Sequence, residues 1–138
     1  MAAVAVGSAM LLAAGFGAVH LVNGSEDLSG MLSASLGGII FALAVRRSGS
    51  IWWGVGFHAA WNWSQAYLFG TSVSGLAIRG HLLATHPVGD VRFSGGAVGP
   101  EGSVLQIPLL LVTLALVILT LGKRAPGTWR RLSHAGQP

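Results

Sequence analysis

Apolar residues fall in four long blocks along this chain, Ala2 to Val22, Gly30 to Val45, Ile51 to Phe69 and Val104 to Gly122, with few charges inside them. Crossing a hydrocarbon layer about 30 Å thick takes roughly 20 residues of helix, because backbone N–H and C=O groups find no water to bond there. The blocks therefore predict an all-α, multi-pass transmembrane helix bundle of about four membrane helices. Of the 138 residues, 52% are hydrophobic and 9% charged, and the mean hydropathy is +0.67, which excludes an ordinary water-soluble domain. We read one membrane domain over residues 1–122 and a basic tail over 123–138. The first block has no basic stretch before it and carries a histidine, which argues against a cleaved signal peptide.

The charges give the topology. Six of the eight basic residues, Arg46, Arg47, Lys123, Arg124, Arg130 and Arg131, sit in the second connection and the tail. Cationic loops stay on the cytoplasmic side, so a cell-membrane protein with both termini cytoplasmic is expected. Asn23 to Ser29, with Glu26 and Asp27, and the long Gly70 to Ser103 loop would face outward. The net charge of +4 forms no basic stripe interleaved with aromatics, so nucleic acid is not an expected partner; the lipid bilayer is. The tail is read as a topology anchor, with contact to anionic lipid as its alternative. Cysteine is absent, which removes disulfides and thiolate chemistry.

The second block is short and rich in small residues. Ser33, Ser35, Gly37 and Gly38 form a pattern that lets helices approach closely, so this helix belongs inside the bundle. The outer loop carries Arg79, His81, His86, Asp90 and Arg92, then the glycine-rich run Gly95 to Gly102. It reads as irregular, with one short helix near Ser74 to His81, and as a segment able to cap the bundle. Pro108 stands at the start of the fourth helix or kinks it.

Polar groups at membrane depth are costly, which makes each of them a functional-site hypothesis. His58 and Asn62 are spaced i and i+4 and share one helix face. Phe16 and His20 repeat that spacing, so the phenyl ring can fix the imidazole rotamer. The plainer alternatives are hydrogen bonds between helices for His58 and Asn62, and a bond to a carbonyl at the membrane boundary for His20. Trp52, Trp53, Trp61 and Trp63 read as interfacial or packing aromatics. Gln65, two turns beyond His58, reads as packing or as a support for the site.

Phe16-x-x-x-His20 followed by His58-x-x-x-Asn62, each on an apolar helix, resembles the second and third motifs of the CPBP family. This family, also called Abi or CAAX-protease-like, contains the type II CAAX prenyl endopeptidases and bacterial relatives linked to bacteriocin processing or immunity. Gly49 to His58 resembles the family's approach to its last motif, and Gly95 to Gly102 some bacterial members. The resemblance implies a partial CPBP fold and an intramembrane endopeptidase of the glutamate type, acting on a membrane protein or peptide. It implies His20 as partner of a glutamate that activates water, and His58 and Asn62 as holders of the oxyanion; Phe16, packed beside His20, is the supporting residue. Two histidines and a glutamate also resemble a zinc set, so a divalent metal on His20 and His58 stands beside the metal-free mechanism.

The family's first motif, Glu-Glu-x-x-x-Arg, is missing here: the fifteen residues before Phe16 hold neither acid nor base. The carboxylates of the chain are Glu26, Asp27, Asp90 and Glu101, all in expected outer loops. Were the first helix to continue, Glu26 would lie ~9 Å past His20 along its axis. An inactive or weakly active copy is therefore expected, through a start placed downstream of the true one, a truncated gene, or a carboxylate from a partner chain. A non-catalytic interaction or immunity-type protein with the same fold is the alternative, and a small transporter with a histidine relay a third. A depth mismatch of about 8 Å between His20 and His58 has to be absorbed by tilt or stagger if the two share a cavity.

Overall fold

A computed structural model of the chain describes residues 2–122; the basic tail 123–138 lies outside the described residues. The described residues are helical, without a strand: α1 is Ala2–His20, α2 Leu28–Ser48, α3 Trp52–Trp63, α4 Val91–Ser94 and α5 Gln106–Thr120. A six-residue π-helical turn, Ser64–Phe69, continues α3, and a 3-10 turn, Pro100–Gly102, precedes α5. Two helices, α1 and α2, are long and apolar enough to cross a membrane. At 15 residues, α5 is apolar but shorter.

Small residues bring α1 onto α2. A Cβ on Gly17 would stand 2.0 Å from Ser35 Oγ and 2.5 Å from the Met31 carbonyl, and one on Gly38 would stand 3.0 Å from Ala13 Cα. The backbones touch because these positions carry no side chain. Ser35 and Gly38 thus do what their spacing predicts. Gly37 does not: nothing lies within 4 Å of where its Cβ would be.

α2 runs past both predicted ends, and its caps explain why. Asp27 accepts hydrogen bonds from Ser29 N–H (2.8 Å), Gly30 N–H (3.0 Å) and Ser29 Oγ (2.6 Å), so the loop charge of the sequence reading is an N-cap. At the other end Gly49 turns left-handed at φ 71°, a conformation that glycine adopts freely. The core lies between α2 and α5, where Ile40, Ala44, Leu110 and Val117 are buried, with Trp53 of α3 against them. Arg47, counted in the sequence as a topology signal, also holds α5: its Nε donates to the Leu121 carbonyl (2.9 Å) and its Nη2 to that of Ile118 (2.6 Å), which satisfies acceptors at the end of α5. Pro108 stands in the first turn of α5, as expected for a residue without an N–H.

The long loop after the π-helical turn, residues 70–103, departs from its expected form. Residues 74–81 form no helix; Val73 and Leu76 pair across a tight turn, with Ser74 at φ 44° and Gly75 at φ 75°. The short helices come later, at α4 and at Pro100–Gly102. Serine and glycine at positive φ favour a turn over a helix at that point. The loop is tied to the helix ends by Asn23 Nδ2 donating to the Ser74 carbonyl (2.7 Å) and Ser29 Oγ donating to that of Gly102 (3.3 Å).

Candidate active site

The last turn of α1, the middle of α2 and the middle of α3 bring four aromatic or imidazole rings together. Phe16 meets His20 at 4.8 Å between ring centroids and 71°, and His58 at 5.5 Å and 90°. On its other side His58 stacks on Phe41, at 5.9 Å and 22°. One phenyl ring thus contacts both imidazoles, edge to face, a geometry that aromatic quadrupoles favour. The axial mismatch expected between His20 and His58 does not keep them from this common neighbour.

Each histidine has a definite chemical state to offer. His20 Nδ1 lies 2.6 Å from the Phe16 carbonyl, an acceptor, so this nitrogen carries the proton and Nε2 is left as the acceptor. Both histidines are half-buried. His58 is the one polar side chain lining an open cleft of about 380 Å³ between α1, α2 and α3. Ala13, Phe16, Gly38, Phe41 and Gly54 form its walls, and it runs away from the outer loop toward Val45 and Ile51. Of its glycines, Gly38 is the one a side chain would crowd, since its Cβ would stand 3.0 Å from Ala13 Cα.

Asn62 follows on the same face of α3. Its Oδ1 is buried and has no hydrogen-bond partner, an arrangement that costs free energy unless something binds there. A carboxamide exchanges oxygen for NH₂ by turning over in place, so the same spot can present a donor.

Several polar groups outside the two motifs converge at the C-terminal end of α3. Glu101, from the 3-10 turn, accepts from Trp61 Nε1 (2.8 Å) and Gln65 Nε2 (3.2 Å) at Oε1 and from Ser74 Oγ at Oε2. Trp61 is therefore a hydrogen-bond donor as well as a packing aromatic. Gln65 is 3% exposed, with its Oε1 unpartnered, so it links the helix to a loop carboxylate. The signal for this in the sequence was a lone acid after Pro100 in a glycine-rich stretch. Its partner could be found only through the fold. The π-helical turn sets Gln65 there: the N–H groups of Gly70 and Thr71 both return to the Gln65 carbonyl, and such widened turns recur at functional sites.

Glu26 also reaches this end. After His20 the chain leaves the helix axis in tight turns, with Leu21 N–H on the Ala18 carbonyl and Asn23 N–H on that of His20, so Glu26 does not continue outward. Its carboxylate lies over Gly30, where an added Cβ would stand 1.7 Å from Oε1. Oε1 accepts from Asp27 N–H, and Oε2 is buried without a partner. Burial raises the Glu26 pKa, and the Glu101 charge adds to this while that of His20 opposes it.

A zinc centre does not fit these residues. A catalytic zinc takes three protein ligands, and among the described residues no three His, Cys, Asp or Glu stand together as a metal set.

Residues 2–64 match the family model described as type II CAAX prenyl endopeptidase Rce1-like, a stretch that holds Phe16, His20, Glu26, His58 and Asn62. No curated protein and no solved structure matches the chain.

Proposed function

On the match of residues 2–64 to the Rce1-like type II CAAX prenyl endopeptidase family model, we propose that the chain belongs to this family and is an intramembrane endopeptidase of slow turnover. The observation that carries this reading is the single phenyl ring of Phe16 in contact with both His20 and His58. Amide hydrolysis needs a base for water, donors for the developing oxyanion and a proton for the leaving amine. His58 and Asn62 supply the donors from one face of α3. His20, fixed by Phe16 and with Nε2 free to accept, works beside the base. The apolar cleft ending at His58 takes a hydrophobic stretch of a membrane peptide, with the scissile carbonyl at the histidine.

In this reading the chain crosses the cell membrane four times, with both termini cytoplasmic. α1 and α2 carry the length; α3 with its π-helical turn, and α5, complete the bundle.

The test is hydrolysis of quenched-fluorescence apolar peptides by the purified chain in micelles. His58→Ala and Asn62→Ala should each lower kcat by about 10²–10³-fold, the usual effect of losing an oxyanion donor. A folded chain with no detectable hydrolysis would favour the non-catalytic interaction protein instead.

A further inference from the structure

The face that α5 turns inward is not wholly apolar. Gln106, Leu110, Thr113 and Val117 are buried along it, at the three- and four-residue steps that keep side chains on one side of a helix. Its two polar members meet a buried serine of α2: Ser33 is 9% exposed, Gln106 8% and Thr113 5%. With Glu101 of the 3-10 turn, these three residues line a cavity of about 50 Å³ between α2, α3 and α5, where Phe57 and Leu110 form the apolar wall.

Hydrogen bonds within the chain leave these groups incomplete. The hydroxyls of Ser35 and Ser48 donate to the carbonyls four residues back along α2, at 2.9 and 2.7 Å. Ser33 makes no such bond, and the Gln106 carboxamide finds no partner among the described residues. Thr113 Oγ1 donates to the Leu109 carbonyl at 2.9 Å, which leaves its oxygen able to accept. A carboxylate offers about four acceptor positions. On Glu101, Trp61 and Gln65 fill those of Oε1, whereas Ser74 alone reaches Oε2.

We propose that the cavity is a water-binding site, in which one or two water molecules bridge Ser33 of α2, Gln106 and Thr113 of α5, and Glu101. A water takes about 30 Å³ in the liquid and needs two to four polar partners. The cavity has that room, donors on Ser33 and Gln106, and acceptors on Gln106, Thr113 and Glu101. Charge selects a neutral occupant. Ser33 stands in the second turn of α2 and Gln106 is the first residue of α5, so the positive ends of two helix dipoles lie here and oppose a cation. The Glu101 carboxylate opposes an anion. An apolar occupant would leave the buried polar groups unpaired, which costs more than bonding them to water.

The site fastens α5 at its N-terminal end as Arg47 does at the other, with the apolar contacts of Ile40, Ala44, Leu110 and Val117 between them. Because Glu101 is bonded directly to Trp61 and Gln65, the water also joins α5 to α3.

The sign of a substitution separates a hydrated cavity from a dry one. Removing a partner of a bridging water destabilises, whereas removing a buried group that has no partner stabilises. The experiment is thermal unfolding of the full chain in micelles for the wild type, Ser33→Ala, Gln106→Leu and the double variant. Each single substitution should lower the midpoint by about 3–6 °C, the shift that one lost hydrogen bond gives a chain of this size. The double variant should lose less than the sum, because both residues act through the same water. Brief X-ray radiolysis, which makes hydroxyl radicals from bound water, should oxidise Leu110 in the wild type although it is 8% exposed, and less so in Gln106→Leu. A midpoint raised by either single substitution means a dry cavity and overturns the proposal, as do additive losses or an unoxidised Leu110. A wild-type midpoint that rises when sodium replaces choline at constant ionic strength, and no longer does so in Glu101→Gln, gives the cavity to a cation and overturns it too. If the variants fail to fold, oxidation of Leu110 in the wild type decides alone.

Discussion

Single residues decide this site by what they leave out as much as by what they bring. Gly30 is the clearest instance, since the Glu26 carboxylate and Val98 Cγ1 both lie within 2.9 Å of where its Cβ would be. Gly30→Ala should therefore expel the carboxylate or spread the α2 terminus, costing about 1–3 kcal/mol as overpacking does. Denaturation in micelles reads the stability, and peptide hydrolysis should fall with it. Phe16 brings rather than omits. Phe16→Ala removes the ring against which both imidazoles lie, and kcat should fall, while Phe16→Tyr, which keeps the ring, should retain more of it. Spacing pairs Phe16 with His20 and His58 with Asn62, because i and i+4 fix which side chains share a helix face; that the two pairs meet at the Phe16 ring comes from the fold. Spacing does not place Glu101. Its three donors come from α3, the π-helical turn and the loop, and no local rule relates positions 61, 65, 74 and 101.

At the scale of elements, the helices were legible and the loop was not, and the two have different physics. Apolar blocks set the existence of α1 and α2 whatever surrounds them. Their ends depend on single capping residues, which is why α2 extends to Asp27 and Gly49 on either side of its predicted span. Asp27→Ala should cost about 0.5–2 kcal/mol, the usual price of an N-cap. The Ser29 hydroxyl bond holds the Asp27 pKa below its ordinary value, with the bonds from the Gly30 and Ser29 N–H groups assisting and burial opposing. A carboxylate whose folded pKa is depressed stabilises the fold above its unfolded pKa and loses that contribution as pH falls through the folded one. The stability gap between wild type and Asp27→Ala should thus be constant at neutral pH and close below pH ~4. The α1–α2 contact gives a second comparison. Gly38→Ala meets Ala13 Cα at 3.0 Å whereas Gly37→Ala meets nothing. The first should destabilise; the second should be neutral or stabilising by up to about 1 kcal/mol, from helix propensity.

For the whole molecule, the question is how many of these helices cross the membrane, and it turns on α3 and α5, the two shorter helices. α5, at 15 residues, spans ~22 Å along its axis, short of the ~30 Å hydrocarbon layer. The Arg47 guanidinium holds its C-terminal carbonyls beside the end of α2, so the ends of α2 and α5 lie at one level. A cation whose donors meet two carbonyls at the end of α5 is stable at a membrane boundary, where its charge still reaches water. α3 then decides the topology. If it crosses with its π-helical turn, Ser50 and the outer loop lie on opposite sides; if it lies in the interface, they share one. Because the chain has no cysteine, single substitutions give an unambiguous readout. With four spans, an impermeant maleimide should label Ser25→Cys and His86→Cys in intact cells and Ser50→Cys only after permeabilisation. Labelling of His86→Cys and Ser50→Cys from the same side would remove α3 as a span. It would also undo the endopeptidase proposal, because His58 and Asn62 would then act in the wet interface, where hydrogen bonds to an oxyanion compete with water and contribute far less.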